Sequence, residues 1–154
     1  MTTDSASSGE TITSAGHIDI LIVGAGISGI DAAYHIKQNL PGRSFLMLET
    51  QATFGGTWQT HTYPGIRSDS DLYTFGYRWK PWVGAPIATR EEILSYLNET
   101  LDEQDLRDSI RYRHKVRSAS WSSEEKLWRV IVDNLESGEC LEYTTNFLWM
   151  CQGY

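Results

Sequence analysis

The sequence is poor in cysteine, short of basic residues and without a long apolar run, and each shortage closes off a class of protein. Its two cysteines, Cys140 and Cys151, are too few for a disulfide framework and lack the spacing of metal ligands. They are expected to be reduced thiols in a cytoplasmic protein. Lys and Arg total 13 against 20 Asp and Glu, giving a net charge of −7 that disfavours nucleic acid as a partner. The one basic cluster, Arg111, Arg113, His114 and Lys115, alternates like the solvent face of a strand. No segment approaches the run of about 20 apolar residues that a membrane-spanning helix needs. Residues 1–17 are rich in Ser and Thr and carry Asp4 and Glu10, without the basic start and apolar run of a signal peptide. They are expected to form a disordered tail, followed by one domain over residues 18–154.

What the chain does have is glycine in clusters, six tryptophans and enough apolar residues, 40% of 154, to fill a core. The run Ile18 to Val23 is short and β-branched, as expected of a strand covered on both faces. A helix is predicted from about Ile27 to Leu40, ended by Pro41-Gly42, and a second buried strand from Ser44 to Leu48 closes a βαβ unit. Between strand and helix stand Gly24, Gly26 and Gly29 in the order G-x-G-x-x-G. The first glycine permits a tight turn, the second lets backbone approach a pyrophosphate, and the third lets helix pack closely on strand. The helix N-terminus then offers free N–H groups to phosphate, with Ser28 placed to add its own N–H or hydroxyl. Glu49 lies 20 residues after Gly29 at the end of the second strand, where a carboxylate accepts from ribose hydroxyls and repels a 2′-phosphate. This much specifies the ADP half of FAD or of NAD and leaves the two open.

From Gln51 to Pro86 periodicity fades, and the segment is rich in Gly, Pro and aromatics. Phe54, Trp58, Tyr63, Tyr73, Phe75, Tyr77, Trp79 and Trp82 argue for packing rather than disorder. Asp71 is placed to cap a short helix. A helix is predicted from about Thr89 to Gln104, with Thr89 and Glu92 at capping-box spacing. Strands are predicted over residues 110–116, 117–122, 127–133, 139–144 and 146–151, with polar turns between them.

Two further motifs, Gly55-Gly56-Thr57-Trp58 and Tyr63-Pro-Gly-Ile-Arg-Ser-Asp69, resemble those of the flavin-containing monooxygenases, specifically the Baeyer–Villiger branch. The continuation Ser68-Asp-Ser-Asp-Leu-Tyr-Thr-Phe-Gly-Tyr77 is similar to the ethionamide-activating enzymes of that branch. The resemblance implies an α/β fold: a Rossmann-like FAD-binding domain with a parallel sheet and an inserted antiparallel β-meander. That domain would be part of an incomplete two-dinucleotide-domain fold. It also implies roles. Glu49 matches the ribose-binding acid and Ser28 a phosphate contact. Thr57, Trp58, Gln59 and Thr60 match the segment that runs along the flavin, and Gly55 and Gly56 before them permit close backbone approach to a ring system. Arg67 and Ser68 match positions near the nicotinamide nucleotide, and Val116 matches a backbone contact to adenine. Asp69 matches the acid beside the isoalloxazine that orients a catalytic arginine.

The activity so implied is FAD-dependent and uses NADPH and O₂. It turns a ketone into an ester, or oxygenates sulfur or nitrogen in a small molecule. The sequence has no second G-x-G-x-x-G, no F-x-G-x-x-x-H-x-x-x-W fingerprint, and ends where the family's second nucleotide domain would begin. The chain is therefore expected to be inactive alone. A noncatalytic remnant of such an enzyme, and a NAD-binding Rossmann domain of other chemistry, stand as alternatives.

Overall fold

The structure is a computed structural model and describes residues 11–153. A single six-stranded sheet organises it. In chain order the elements are β1 (Ile12–Val23), α1 (Ile27–Asn39), β2 (Phe45–Leu48), α2 (Thr57–Thr60), α3 (Leu72–Phe75), α4 (Arg90–Glu103), β3 (Ile110–Arg111), β4 (His114–Ser122), β5 (Leu127–Asn134) and β6 (Cys140–Met150). The strand order is β3-β2-β1-β6-β5-β4. β3, β2, β1 and β6 run parallel, and β6, β5 and β4 pair antiparallel. The predicted βαβ unit and meander thus lie in one continuous sheet, joined through β6.

Three boundaries differ from the sequence reading, each for a physical reason. β1 begins at Ile12, within the stretch expected as tail, because Ile12 to Ile18 pair in parallel with Cys140 to Thr145. Most side chains of that extension are exposed, so the strand is held by its backbone ladder and leaves no apolar signal. Residues 1–10, the rest of that expected tail, lie outside the described residues. The predicted strand 110–116 is broken at Arg113, whose positive φ turns the chain from the parallel β3 into the antiparallel β4. The two closing strands are one, β6, because β1 pairs with it along its whole length.

Apolar residues fill both faces. On one, α1 and α4 cover the sheet with Ile30, Ala33, Ile36, Ile93, Leu97 and Leu101 against Ile20, Ile22 and Met47. On the other, the meander curls back until β4 touches β2, enclosing Leu21, Leu46, Leu48, Val130, Val132 and Tyr143.

The segment from 51 to 89 is packed, as its aromatics require. Tyr34 of α1 stacks on Trp79 with centroids 3.6 Å apart, and Trp79 on Tyr77 at 4.7 Å. Tyr77 in turn meets Tyr96 of α4 at 5.5 Å, and Trp82 meets the same ring edge-on. Such contacts contribute about 0.5–1.5 kcal/mol each beyond area burial. Their polar atoms are also bound: Tyr77 Oη donates to Ile27 O at 2.7 Å and Trp79 Nε1 to Asp31 at 2.9 Å. Burial, with Asp31 nearby, pushes the Tyr77 phenol far above its ordinary range.

Candidate dinucleotide-binding site

The glycine loop turns where the parallel strands end, the place at which open α/β sheets form their ligand crevice. Gly24 has φ +104°, a conformation side chains rarely adopt, and its N–H donates to Leu48 O at 2.8 Å. Gly29 is fixed by space, since a Cβ there would lie 1.9 Å from Gly24 O. Gly26 precedes α1 without a side-chain cap, and no acid occupies the first turn, so these N–H groups remain available to an anion.

The second glycine pair closes on the first. Gly55 N–H donates to Ala25 O at 3.0 Å, and a Cβ on Gly56 would come 3.1 Å from Gly26 Cα. The two glycine motifs, about thirty residues apart in sequence, are thus one bare backbone surface. From Gly56, at φ +53°, the chain enters α2, whose four residues are Thr57, Trp58, Gln59 and Thr60. Trp58 is half-buried against the helical core, and Thr60 Oγ1 donates back to Gly56 O at 3.0 Å.

Glu49 ends β2 beside the loop and is only 7% exposed. Its carboxylate accepts from Ala25 N–H at 2.9 Å and from Gln51 N–H at 2.8 Å. A carboxylate has about four lone-pair sites, so two remain for a diol. Its backbone accepts from His114 N–H at 2.9 Å, which ties β4 to the site and sets Val116 two residues further along that strand. Val116 itself is half-buried in the second core.

The remaining candidates sit on the loop that precedes α3. Ser68 is buried, and its Oγ accepts from Ala88 N–H at 3.1 Å while its own N–H donates to Ala88 O at 2.8 Å. Its hydroxyl is therefore engaged within the protein. Arg67 is exposed and bridges backbone to Thr89. Asp69 is exposed, with Ser70 Oγ 3.5 Å from its carboxylate. Asp71 caps α3 by accepting from Thr74 N–H at 2.9 Å, as its position predicts. Ser28, exposed at the start of α1, also lines a cleft of about 750 Å³ between α1 and residues 75–79. Sequence reading did not single out Ala25, whose N–H positions Glu49, because a backbone donor has no residue signature.

Fold and loop geometry together define a Rossmann-like dinucleotide-binding unit. Residues 22–81 match the family model described as an NAD(P)-binding Rossmann-like domain. Over 90% of its length the chain is related to FAD-containing monooxygenases. It is 45% identical over 139 residues to FAD-containing monooxygenase EthA of Mycolicibacterium smegmatis, covering 28% of that protein. It is also 45% identical to a probable FAD-binding monooxygenase AlmA of an Acinetobacter species, again covering 28%. Among solved structures, a steroid monooxygenase bound to NADP superposes with a TM-score of 0.78 at 31% identity, over 89% of this chain and 26% of that one. A cyclohexanone-bound cyclohexanone monooxygenase gives 0.80 at 27% identity, over 92% and 27%. The resemblance read from the Gly55–Asp69 loop is borne out, and the chain spans little more than a quarter of the length of these relatives. Among the described residues no helix is long and apolar enough to cross a membrane, and no cluster of His, Cys, Asp or Glu could hold a metal.

Proposed function

We propose that this chain is the FAD-binding part of an NADPH-using monooxygenase of Baeyer–Villiger type, which oxygenates a ketone, or a sulfur or nitrogen centre, in a small molecule. One observation carries the reading: Gly26 and Gly56 meet as bare backbone beside an uncapped helix N-terminus, with the Glu49 carboxylate fixed at the adjacent strand end. These residues fit a flavin dinucleotide. The uncapped N–H groups of α1 and the Ser28 hydroxyl take the pyrophosphate. Glu49, oriented by the Ala25 and Gln51 N–H groups, accepts from the ribose diol and disfavours a 2′-phosphate. Val116 contributes backbone beside the adenine. Thr57 to Thr60 run along the flavin, with Trp58 shielding that side from water. Asp69, exposed and carrying a single long hydrogen bond from Ser70, is free to orient a neighbouring cation. FAD, when bound, supplies the redox and oxygen chemistry, and the protein binds, orients and keeps water out.

The chain's share of its relatives' length supports the further reading that it does not turn over alone. The test is to mix the purified chain with FAD and, separately, with NAD, remove free nucleotide by gel filtration, record the ultraviolet and visible spectra, and follow NADPH consumption with cyclohexanone. Retained flavin without ketone-dependent NADPH consumption is expected. Turnover would contradict the partial-enzyme reading, and retention of NAD in place of FAD would favour a Rossmann domain of other chemistry.

A further inference from the structure

The start of α1 is held by a buried phenol from outside the glycine loops. Tyr77 is 6% exposed, and its Oη donates to Ile27 O at 2.7 Å. Ile27 is the first residue of α1, so the peptide that carries this carbonyl also carries the Ser28 N–H. That N–H lies in the first helical turn and has no partner within the helix. A peptide group polarises as one unit. A donor on its carbonyl strengthens the N–H at its other end, by about 10–30% per bond in a hydrogen-bonded chain. Burial, with Asp31 nearby, raises the phenol far above its ordinary range, which keeps the donated proton in place. Tyr77 is in turn fixed from α4: its N–H donates to Tyr96 Oη at 2.9 Å, and Tyr96 Oη donates to Lys80 O at 2.6 Å. Stacking on Trp79 accounts for the ring, which a phenylalanine would supply equally; it does not account for the hydroxyl on Ile27.

We propose that Tyr77 is a positioning residue for pyrophosphate binding: its hydroxyl holds and polarises the Ile27–Ser28 peptide so that the Ser28 N–H is presented to a phosphate oxygen. The proposal rests on the flavin reading for the identity of the ligand. It ties the aromatic segment and α4 to a site otherwise made by the glycine loops and Glu49.

Calorimetric titrations of the 154-residue chain with FAD and with ADP, and amide proton spectra recorded without ligand, test it. Tyr77→Phe keeps the stacked ring and removes only the hydroxyl. FAD and ADP affinities are expected to fall by the same factor, about fivefold, because the two ligands share the pyrophosphate. The Ser28 amide proton is expected to move upfield in this variant before any ligand is added. Trp79→Phe is the packing control: it loses the bond to Asp31 and part of the stack, and should leave ADP affinity unchanged. Tyr96→Phe releases the Tyr77 main chain, is expected to weaken ADP to a lesser degree, and decides the matter if Tyr77→Phe does not fold. ADP affinity retained in folded Tyr77→Phe, or in Tyr96→Phe where Tyr77→Phe does not fold, would overturn the proposal. So would an unmoved Ser28 amide, a loss confined to FAD, or an equal loss of ADP affinity in Trp79→Phe. An unaltered chain that takes up ADP and not FAD would contradict the flavin reading and leave the ADP comparison in force. One that takes up neither would contradict both.

Discussion

At the scale of single residues the glycine loop separates two constraints that a motif string merges. Gly29 is required by space alone. Ala in its place would drive a Cβ to 1.9 Å from Gly24 O, so Gly29→Ala is expected to cost about 3 kcal/mol, the upper range of overpacking, in urea unfolding. Gly26 has an ordinary φ of −84°, and a Cβ there would meet Gly56 Cα at 3.4 Å, a tolerable contact. Gly26→Ala should therefore fold and instead obstruct whatever approaches the loop. Glu49→Gln exposes another division of labour. Gln presents one acceptor and one donor where two backbone N–H groups point at Glu49, so a loss of about 1–3 kcal/mol of stability is expected as well as weaker ribose binding. The glycines and Glu49 were legible in the sequence because each answers to a spacing with a mechanical cause. Ala25 was not, because what it contributes is a backbone N–H to the Glu49 carboxylate, and a backbone donor has no residue signature.

Elements show the same contrast. The helices were readable from capping chemistry and apolar spacing: α4 starts at a capping box in which Thr89 Oγ1 accepts from Glu92 N–H and Glu92 accepts from Thr89 N–H. Thr89→Ala should destabilise the fold by about 1 kcal/mol in thermal unfolding, without altering the glycine loop. The ends of β1 and β6 were less readable, because a strand held by ladder bonds with its side chains in water carries no period. Asp19 gives a pH signature to the β1–β2 pair. Its carboxylate accepts from the Ser44 hydroxyl at 2.7 Å, the Ser44 N–H at 2.8 Å and Arg43 at 3.2 Å, which hold its pKa at about 2 against an ordinary 3.8. A carboxyl whose pKa is lower folded than unfolded stabilises fully above its unfolded value and loses that contribution as pH falls through the folded one. Stability from Asp19 should thus decline between about pH 4 and pH 2. Asp19→Asn should flatten that part of an acid unfolding curve, and an unchanged curve would remove Asp19 as its source.

The whole molecule joins a βαβ unit and an antiparallel meander through one long strand, and puts both glycine motifs and Glu49 at one end of the parallel strands. That convergence was legible because Glu49 and the two glycine motifs are tied to strand ends. Where Arg67, Ser68 and Asp69 sit depended on the aromatic packing that seats residues 51–89 between α1 and α4. The cradle made by Gly26 and Gly56 is the feature on which the functional reading stands, and FAD titration of Gly26→Ala beside the unaltered chain tests it most directly. The account predicts saturable FAD binding by the chain, weakened about tenfold or more in Gly26→Ala while its melting temperature is nearly unchanged. Absence of FAD binding by the unaltered chain, or equal affinity in the two proteins, would contradict it.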